Sequence, residues 1–147
     1  MKISLVCSHG GHLTEILYLM DAFESHEIFF ITYDNFRTRE LNYNKYLLEN
    51  IGINPIKMIK AFFYIFRILW DEEPHLIIST GSEIAIPAFI LGKLMRKRTI
   101  FIESWCRVKN KSTTGKLLYY ISDDFFVQWP QLLEVYGNKV KYKGGVL

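Results

Sequence analysis

Cysteine is nearly absent from this chain. Cys7 and Cys106 are its only two among 147 residues, and they match neither a metal-ligand spacing nor a disulfide framework. Both read as buried, reduced thiols, with Cys7 a small packing residue at the end of a strand. An excess of one charge is also missing: 18 Lys and Arg against 15 Asp and Glu leave a formal +3. A nucleic-acid binder would carry a denser basic stripe, so no nucleic acid is expected as a partner, while anionic small molecules and an anionic membrane surface stay open. No uncharged apolar run reaches the roughly 18 residues of a membrane-spanning helix. No leader is expected, because a strand begins at Ile3. Internal repeats, low-complexity linkers, an evident carboxylate metal site and the dinucleotide fingerprint G-x-G-x-x-G are all lacking.

What is present is a core. Half of the residues are hydrophobic and 16% are aromatic, which argues against disorder. The length suits one domain spanning residues 1–147; two Rossmann units would need about twice the chain. Short apolar runs alternate with helical segments. Ile3–Cys7, Glu27–Tyr33, Ile53–Met58, Leu76–Ser79, Thr99–Glu103 and Asp124–Val127 read as buried parallel strands, rich in Ile, Val and Phe. Val140–Tyr142 adds a last one. Leu13–Phe23 carries Leu13, Ile16, Leu17 and Met20 at helical spacing, and Arg39–Asn50, Glu83–Met95 and Gly115–Ser122 are further helices. This alternation predicts an α/β fold: a Rossmann-like parallel sheet with helices on both faces and a switch point near the first strand. Ligands bind beyond the carboxyl ends of such strands, which gathers Ser8–His12, Gly81–Glu83 and Glu103–Arg107 into one neighbourhood.

Gly10-Gly11-His12 follows the first strand. A glycine pair admits positive φ and a close ligand approach, and the helix behind it offers free N–H groups to a phosphate or pyrophosphate. A plain tight turn explains the same residues; the functional alternative makes His12 a donor to an acceptor phosphate or an acid–base group. Thr80-Gly81-Ser82-Glu83 is either a turn with Ser82 as helix cap or a second phosphate-facing loop. Glu103 ends a strand inside the expected crevice and is the candidate general base for a hydroxyl acceptor, unless Arg107 merely neutralises it. Lys109, Lys111 and Lys116 add charge nearby, as a solvated face or a phosphate clamp. Met58–Trp70 is apolar around most of its circumference; Phe62, Phe63 and Phe66 would face a membrane if this helix lies in the interface, or the core if it is buried. Gln128 and Trp129 form a candidate partner surface, Trp129 being a typical interface anchor, or else a buried tryptophan.

Taken in order, Gly10-Gly11-His12, Thr80-Gly81, Ile102-Glu103-Ser104 with Arg107-Val108, Thr114-Gly115-Lys116-Leu117-Leu118-Tyr119 and Phe126-Val127-Gln128-Trp129-Pro130 resemble the Alg14 family of oligosaccharide-biosynthesis proteins and its bacterial capsule and exopolysaccharide counterparts of the PssD and CpsF type. The likeness runs from the first strand to Tyr142–Gly144. The ordered series from Glu103 to Trp129 is specific; the Gly-Gly-His turn alone is shared with MurG-type transferases. The resemblance implies the amino-terminal half of a split GT-B glycosyltransferase, a hexosyl- or N-acetylhexosaminyl-transferase subunit active only with a partner. Such a half binds a polyprenyl-pyrophosphate-linked acceptor and recruits an Alg13-like subunit that holds most of the UDP-sugar, with no cofactor or metal. Eukaryotic members carry an amino-terminal anchor that this chain is expected to lack, so attachment would be peripheral, at the cytoplasmic face of the membrane. On this reading Gly10 and Gly11 cradle the pyrophosphate beside Thr80, Gly81 and Ser82, and His12 assists. Glu103 orients or deprotonates the acceptor hydroxyl, and Arg107 and Lys116 balance phosphate charge or fix the Glu103 loop. The rivals are a non-catalytic scaffold that activates a catalytic partner, and a free-standing nucleotide-binding domain.

Overall fold

The computed structural model describes residues 1–147. In chain order its elements are β1 (Lys2–Val6), α1 (Gly11–Leu17), a short tight helix over Met20–Phe23, β2 (Glu27–Tyr33), α2 (Phe36–Arg39), β3 (Asn44–Leu48), α3 (Pro55–Glu72), β4 (Leu76–Ser79), α4 (Ala85–Leu94), β5 (Arg98–Ile102), α5 (Thr113–Ile121), β6 (Asp124–Val127), α6 (Leu132–Tyr136) and β7 (Val140–Tyr142). The strands form one seven-stranded sheet, ordered β3-β2-β1-β4-β5-β6-β7. Every neighbouring pair is parallel. The chain moves outward from β1 to β3, then returns to the other side of β1. The expected Rossmann-like switch point therefore lies between β1 and β4, where Val6 pairs with Ser79.

Alternation along each strand divides the core between two faces. The larger cluster joins Val6, Phe29, Ile31, Ile77, Phe101 and Phe125 to buried residues of α3, α4 and α5, such as Ile65, Phe89 and Leu118. The smaller one packs Ile3, Leu5, Cys7, Phe30 and Ile78 beneath Leu13 and Ile16 of α1. Helices cover both faces, as the βαβ alternation requires. Burial pushes the Cys7 thiol up to about 12, so it stays protonated and inert. Cys106, expected to be buried, is exposed.

Two expected elements are corrected. Ile53–Met58 is no strand: it enters α3, whose first turn carries Pro55, and the Asn54 side-chain oxygen accepts the N–H groups of Ile56 at 2.9 Å and Lys57 at 3.2 Å. A proline loses nothing at that position, since the first helical N–H groups have no intrahelical acceptor. Arg39–Asn50 is no helix: α2 stops at Arg39 and the third strand, β3, lies inside that stretch. β3 is the sheet edge and only Leu48 is fully buried, so the segment lacks the continuous apolar run of an inner strand. The five-residue α6 was not anticipated.

Candidate active site

The site is built where β1, β4 and β5 end. A cavity of about 530 Å³ opens there, lined by Gly11, His12 and Glu15 of α1, Gly81 and Ser82 after β4, Glu103–Arg107 after β5, and Ser112–Thr114 at the start of α5. The sheet thus brings together the three loops gathered from the sequence.

The glycine pair works differently from expectation. Gly10 has φ −95° and Gly11 is not among the positive-φ glycines, so backbone strain does not require either. A Cβ at either position would meet nothing within 4 Å. Gly11 lines the cavity and Gly10 stands just behind it, outside the lining. Gly10 carbonyl caps α1 by accepting Leu13 and Thr14 N–H, while the N–H groups of Gly11 and His12 have no protein partner. Across the cavity, Ser112 caps α5 through Gly115 N–H at 2.8 Å and leaves Thr113 and Thr114 N–H groups free. Two helix N-termini face one cavity. Arg37 of α2, which sequence reasoning passed over, steadies the first loop by donating to Gly10 carbonyl at 3.1 Å and Thr14 Oγ1 at 2.8 Å. No motif marks that arginine; only the crossover of β2 brings it there.

The loop after β4 serves His12. Thr80 Oγ1 donates to the His12 carbonyl at 2.7 Å. Gly81, at φ +133°, lies under the imidazole. Ser82 has φ +81° and does not cap α4; its hydroxyl donates to Glu83 at 2.9 Å, and Tyr33 donates to the other oxygen at 2.8 Å. Burial pushes the Glu83 carboxyl up, but its own backbone N–H and these hydroxyls prevail and hold it below the usual carboxylate range.

Glu103 meets a geometry other than a free base. It is 1% exposed. One oxygen accepts Ser104 N–H at 3.0 Å; the other accepts Ser112 N–H at 3.1 Å, Ser112 Oγ at 3.0 Å and the Tyr136 hydroxyl. Burial, then the bond to Glu103, pushes the Tyr136 phenol far up, so it stays a donor. The carboxylate spends itself tying β5 to α5 and α6. Gly115 is bare because a Cβ would overlap Tyr136 and Glu103. Arg107 pairs with no carboxylate and lies exposed on the rim, while Lys116 is exposed on α5 and does not line the cavity. Gln128 is 3% exposed and turned inward, donating to Glu103 carbonyl at 3.0 Å and accepting Val146 N–H at 3.0 Å. Trp129 is half-buried, its ring 4.5 Å from that of Trp105 and its indole N–H on Trp105 carbonyl at 2.7 Å.

Glu15, one turn after His12, is the carboxylate sequence reasoning missed. It is 3% exposed. Its Oε1 accepts Trp105 N–H at 2.6 Å, with Ser104 Oγ and Gln128 Nε2 each at 3.4 Å. Its Oε2 lies 3.6 Å from His12 Nδ1, and both atoms are buried without a hydrogen-bond partner. Its i, i+3 spacing from His12, which puts both on one helix face, was the available signal. No group of three His, Cys, Asp or Glu side chains converges on a point that could hold a metal ion.

Residues 34–146 match the family described as oligosaccharide biosynthesis protein Alg14 like. The chain belongs to this family. The human UDP-N-acetylglucosamine transferase subunit ALG14 is 28% identical over 181 aligned positions, which take in 100% of this chain and 83% of the relative. The Saccharomyces cerevisiae protein of the same name is 27% identical over 122, covering 76% of this chain and 51% of that one. Among solved structures, Acinetobacter baumannii MurG superposes with a TM-score of 0.81 at 14% identity, over 99% of this chain and 46% of MurG. A UDP-GlcNAc 2-epimerase from Methanocaldococcus jannaschii gives 0.74 at 17% identity, with 99% and 46% covered. The chain spans about half the length of these structures. Their likeness is one of fold, that of the amino-terminal half of a GT-B glycosyltransferase.

Proposed function

We propose that this chain is the acceptor-side subunit of a two-component transferase that moves N-acetylglucosamine from its UDP derivative to a polyprenyl-pyrophosphate-linked sugar. The observation that carries this reading is the open cavity at the switch point, where two helix N-termini leave free N–H groups and the His12 ring keeps 29% of its side-chain surface exposed. Free amides at helix starts suit a pyrophosphate, and Arg107 on the rim adds charge. The names of the relatives supply the sugar and the word subunit. An Alg13-like partner would bring the bound UDP-sugar to this cavity.

The chemistry assigned to the chain is proton transfer. The acceptor hydroxyl attacks the anomeric carbon, the bond to the UDP oxygen breaks with its electron pair leaving on UDP, and the hydroxyl proton passes to His12. Glu103 holds the α5 N-terminus in place and acts on the ligand only through it. The scaffold alternative gains from that engagement of Glu103, but it leaves the exposed edge of His12 unexplained.

The membrane part of the reading rests on α3. Ile56, Ile59, Phe63, Phe66 and Trp70 recur at helical spacing and are all exposed, Phe63 at 73%. Phe62 is only half-exposed. Lys57, Lys60 and Arg67 flank the stripe, a pattern suited to lying in a headgroup layer. No helix is long and apolar enough to cross a membrane. Co-purification from native membranes, followed by assay of UDP-N-acetylglucosamine transfer, tests the whole. Activity only when a donor-binding partner is present is expected; a chain that transfers sugar by itself overturns the reading.

A further inference from the structure

His12 is held on three sides. Thr80 fixes its carbonyl, Gly81 leaves room beneath its ring, and Glu15 Oε2 stands 3.6 Å from Nδ1. Two buried polar atoms without partners are each costly, and the two here face one another. A movement of roughly half an ångström brings them to hydrogen-bond distance, and such contacts commonly tighten only in the substrate complex. The other carboxylate oxygen is pinned by Trp105 N–H at 2.6 Å, so Glu15 has a fixed orientation from which to act.

We propose that Glu15 is the positioning residue for His12: it accepts the Nδ1 proton and so keeps Nε2, on the cavity side, unprotonated and able to take the proton of the acceptor hydroxyl. This deepens the transferase reading and rests on it for the final proton step. Once Nε2 is protonated, the Glu15 carboxylate stabilises the imidazolium. A purely structural Glu15 would need only Oε1, which anchors the Trp105 loop.

Glu15→Gln separates the two roles. The amide oxygen can still accept Trp105 N–H, but the amide nitrogen then faces Nδ1 as a donor. Nδ1 must accept, and the ring proton moves to Nε2. Long-range proton–nitrogen NMR of the full chain reads this directly, with the His12 signals assigned by their loss in His12→Asn. The wild type is expected to carry its proton on Nδ1 and Glu15→Gln on Nε2; an Nε2 proton in the wild type, or an unchanged tautomer in the variant, overturns the pairing. In the complex with its partner, given UDP-N-acetylglucosamine and a polyprenyl-pyrophosphate-linked sugar that the wild-type pair glycosylates, Glu15→Gln is expected to lower kcat by about 10² or more and leave acceptor KM within about twofold. An unchanged kcat overturns the role. The NMR result stands independently of transfer: if His12→Gln retains full turnover, it is the transferase chemistry that fails, while the tautomer still decides the pairing.

Discussion

The imidazole of His12 rests against Gly81 so closely that a Cβ there would come within 2.6 Å of Cε1 and 2.9 Å of Nδ1. Gly81 also sits at φ +133°, where side chains other than glycine are strained. Gly81→Ala is therefore expected to cost about 1–3 kcal/mol of stability and to move the ring off the cavity, cutting transfer at least tenfold. Thermal unfolding together with a transfer assay checks both. An unchanged melting temperature would show that the loop can relax without cost.

Gly11 gives the opposite case. A Cβ there meets nothing within 4 Å, and the residue opens α1. Gly11→Ala should leave stability unchanged or raise it by up to about 1 kcal/mol, because alanine loses less backbone freedom on folding. The new methyl group occupies the space left for a ligand, so acceptor KM is expected to rise severalfold. A variant with unaltered KM would remove the cavity wall at Gly11 from acceptor binding.

Glu103 tests the distinction between holding and reacting. Glu103→Gln replaces an oxygen that accepts from Ser112 and Tyr136 with an amide that donates, and leaves buried donors facing one another. The expected cost is about 2 kcal/mol or more, seen as a lower urea midpoint. Turnover should fall in step with disorder at the α5 N-terminus. Full stability combined with lost turnover would return Glu103 to the reacting atoms.

The parts of this molecule that could be read in advance are those governed by local pattern. The inner strands β2, β4 and β6 fall on their expected residues because each is a short Ile- and Phe-rich run bounded by polar turns. β3 escaped because an edge strand is apolar on one side at most, and Leu47 with Ile51, four residues on, then mimics helical spacing. In the site, the backbone motifs were visible and the side-chain allegiances were not. Whether Glu103 is free or bound depends on Tyr136, 33 residues away, and Gly115 makes room for both. Glu15 carried no motif of its own; its meaning comes from Trp105, which β5 brings to α1.

Asp124 offers a pH test away from the site. Lys141 at 2.8 Å and Arg98 at 2.8 Å donate to its two oxygens, and these bonds outweigh burial and hold the carboxyl below its ordinary value. A folded value below the unfolded one, about 3.9, means that the contribution is present above roughly pH 4 and disappears as pH falls through the folded value. Asp124→Asn should lower stability by about 1 kcal/mol at pH 7, since both cations remain largely exposed and screened. The difference from wild type should shrink toward zero below pH 4. A constant difference across that range would assign the loss to packing.

The exposed face of α3 separates a membrane-seeking helix from an ordinary surface. Ile59, Phe63, Phe66 and Trp70 lie along one side while Ala61, Ile65, Ile68 and Leu69 fill the core on the other. Glutamate at Phe63 and Phe66 therefore leaves the buried side intact, and each removes the transfer free energy of an aromatic from the interface while placing negative charge near anionic headgroups. Co-sedimentation with vesicles of anionic lipid should fall at least tenfold in the double variant, with the melting temperature within a few degrees of wild type. Added salt should weaken wild-type binding only in part, because Lys60 and Arg67 supply the screened share and the apolar stripe the rest. If the double variant binds vesicles as well as the wild type, the stripe does not face lipid, and a protein partner becomes the occupant to seek.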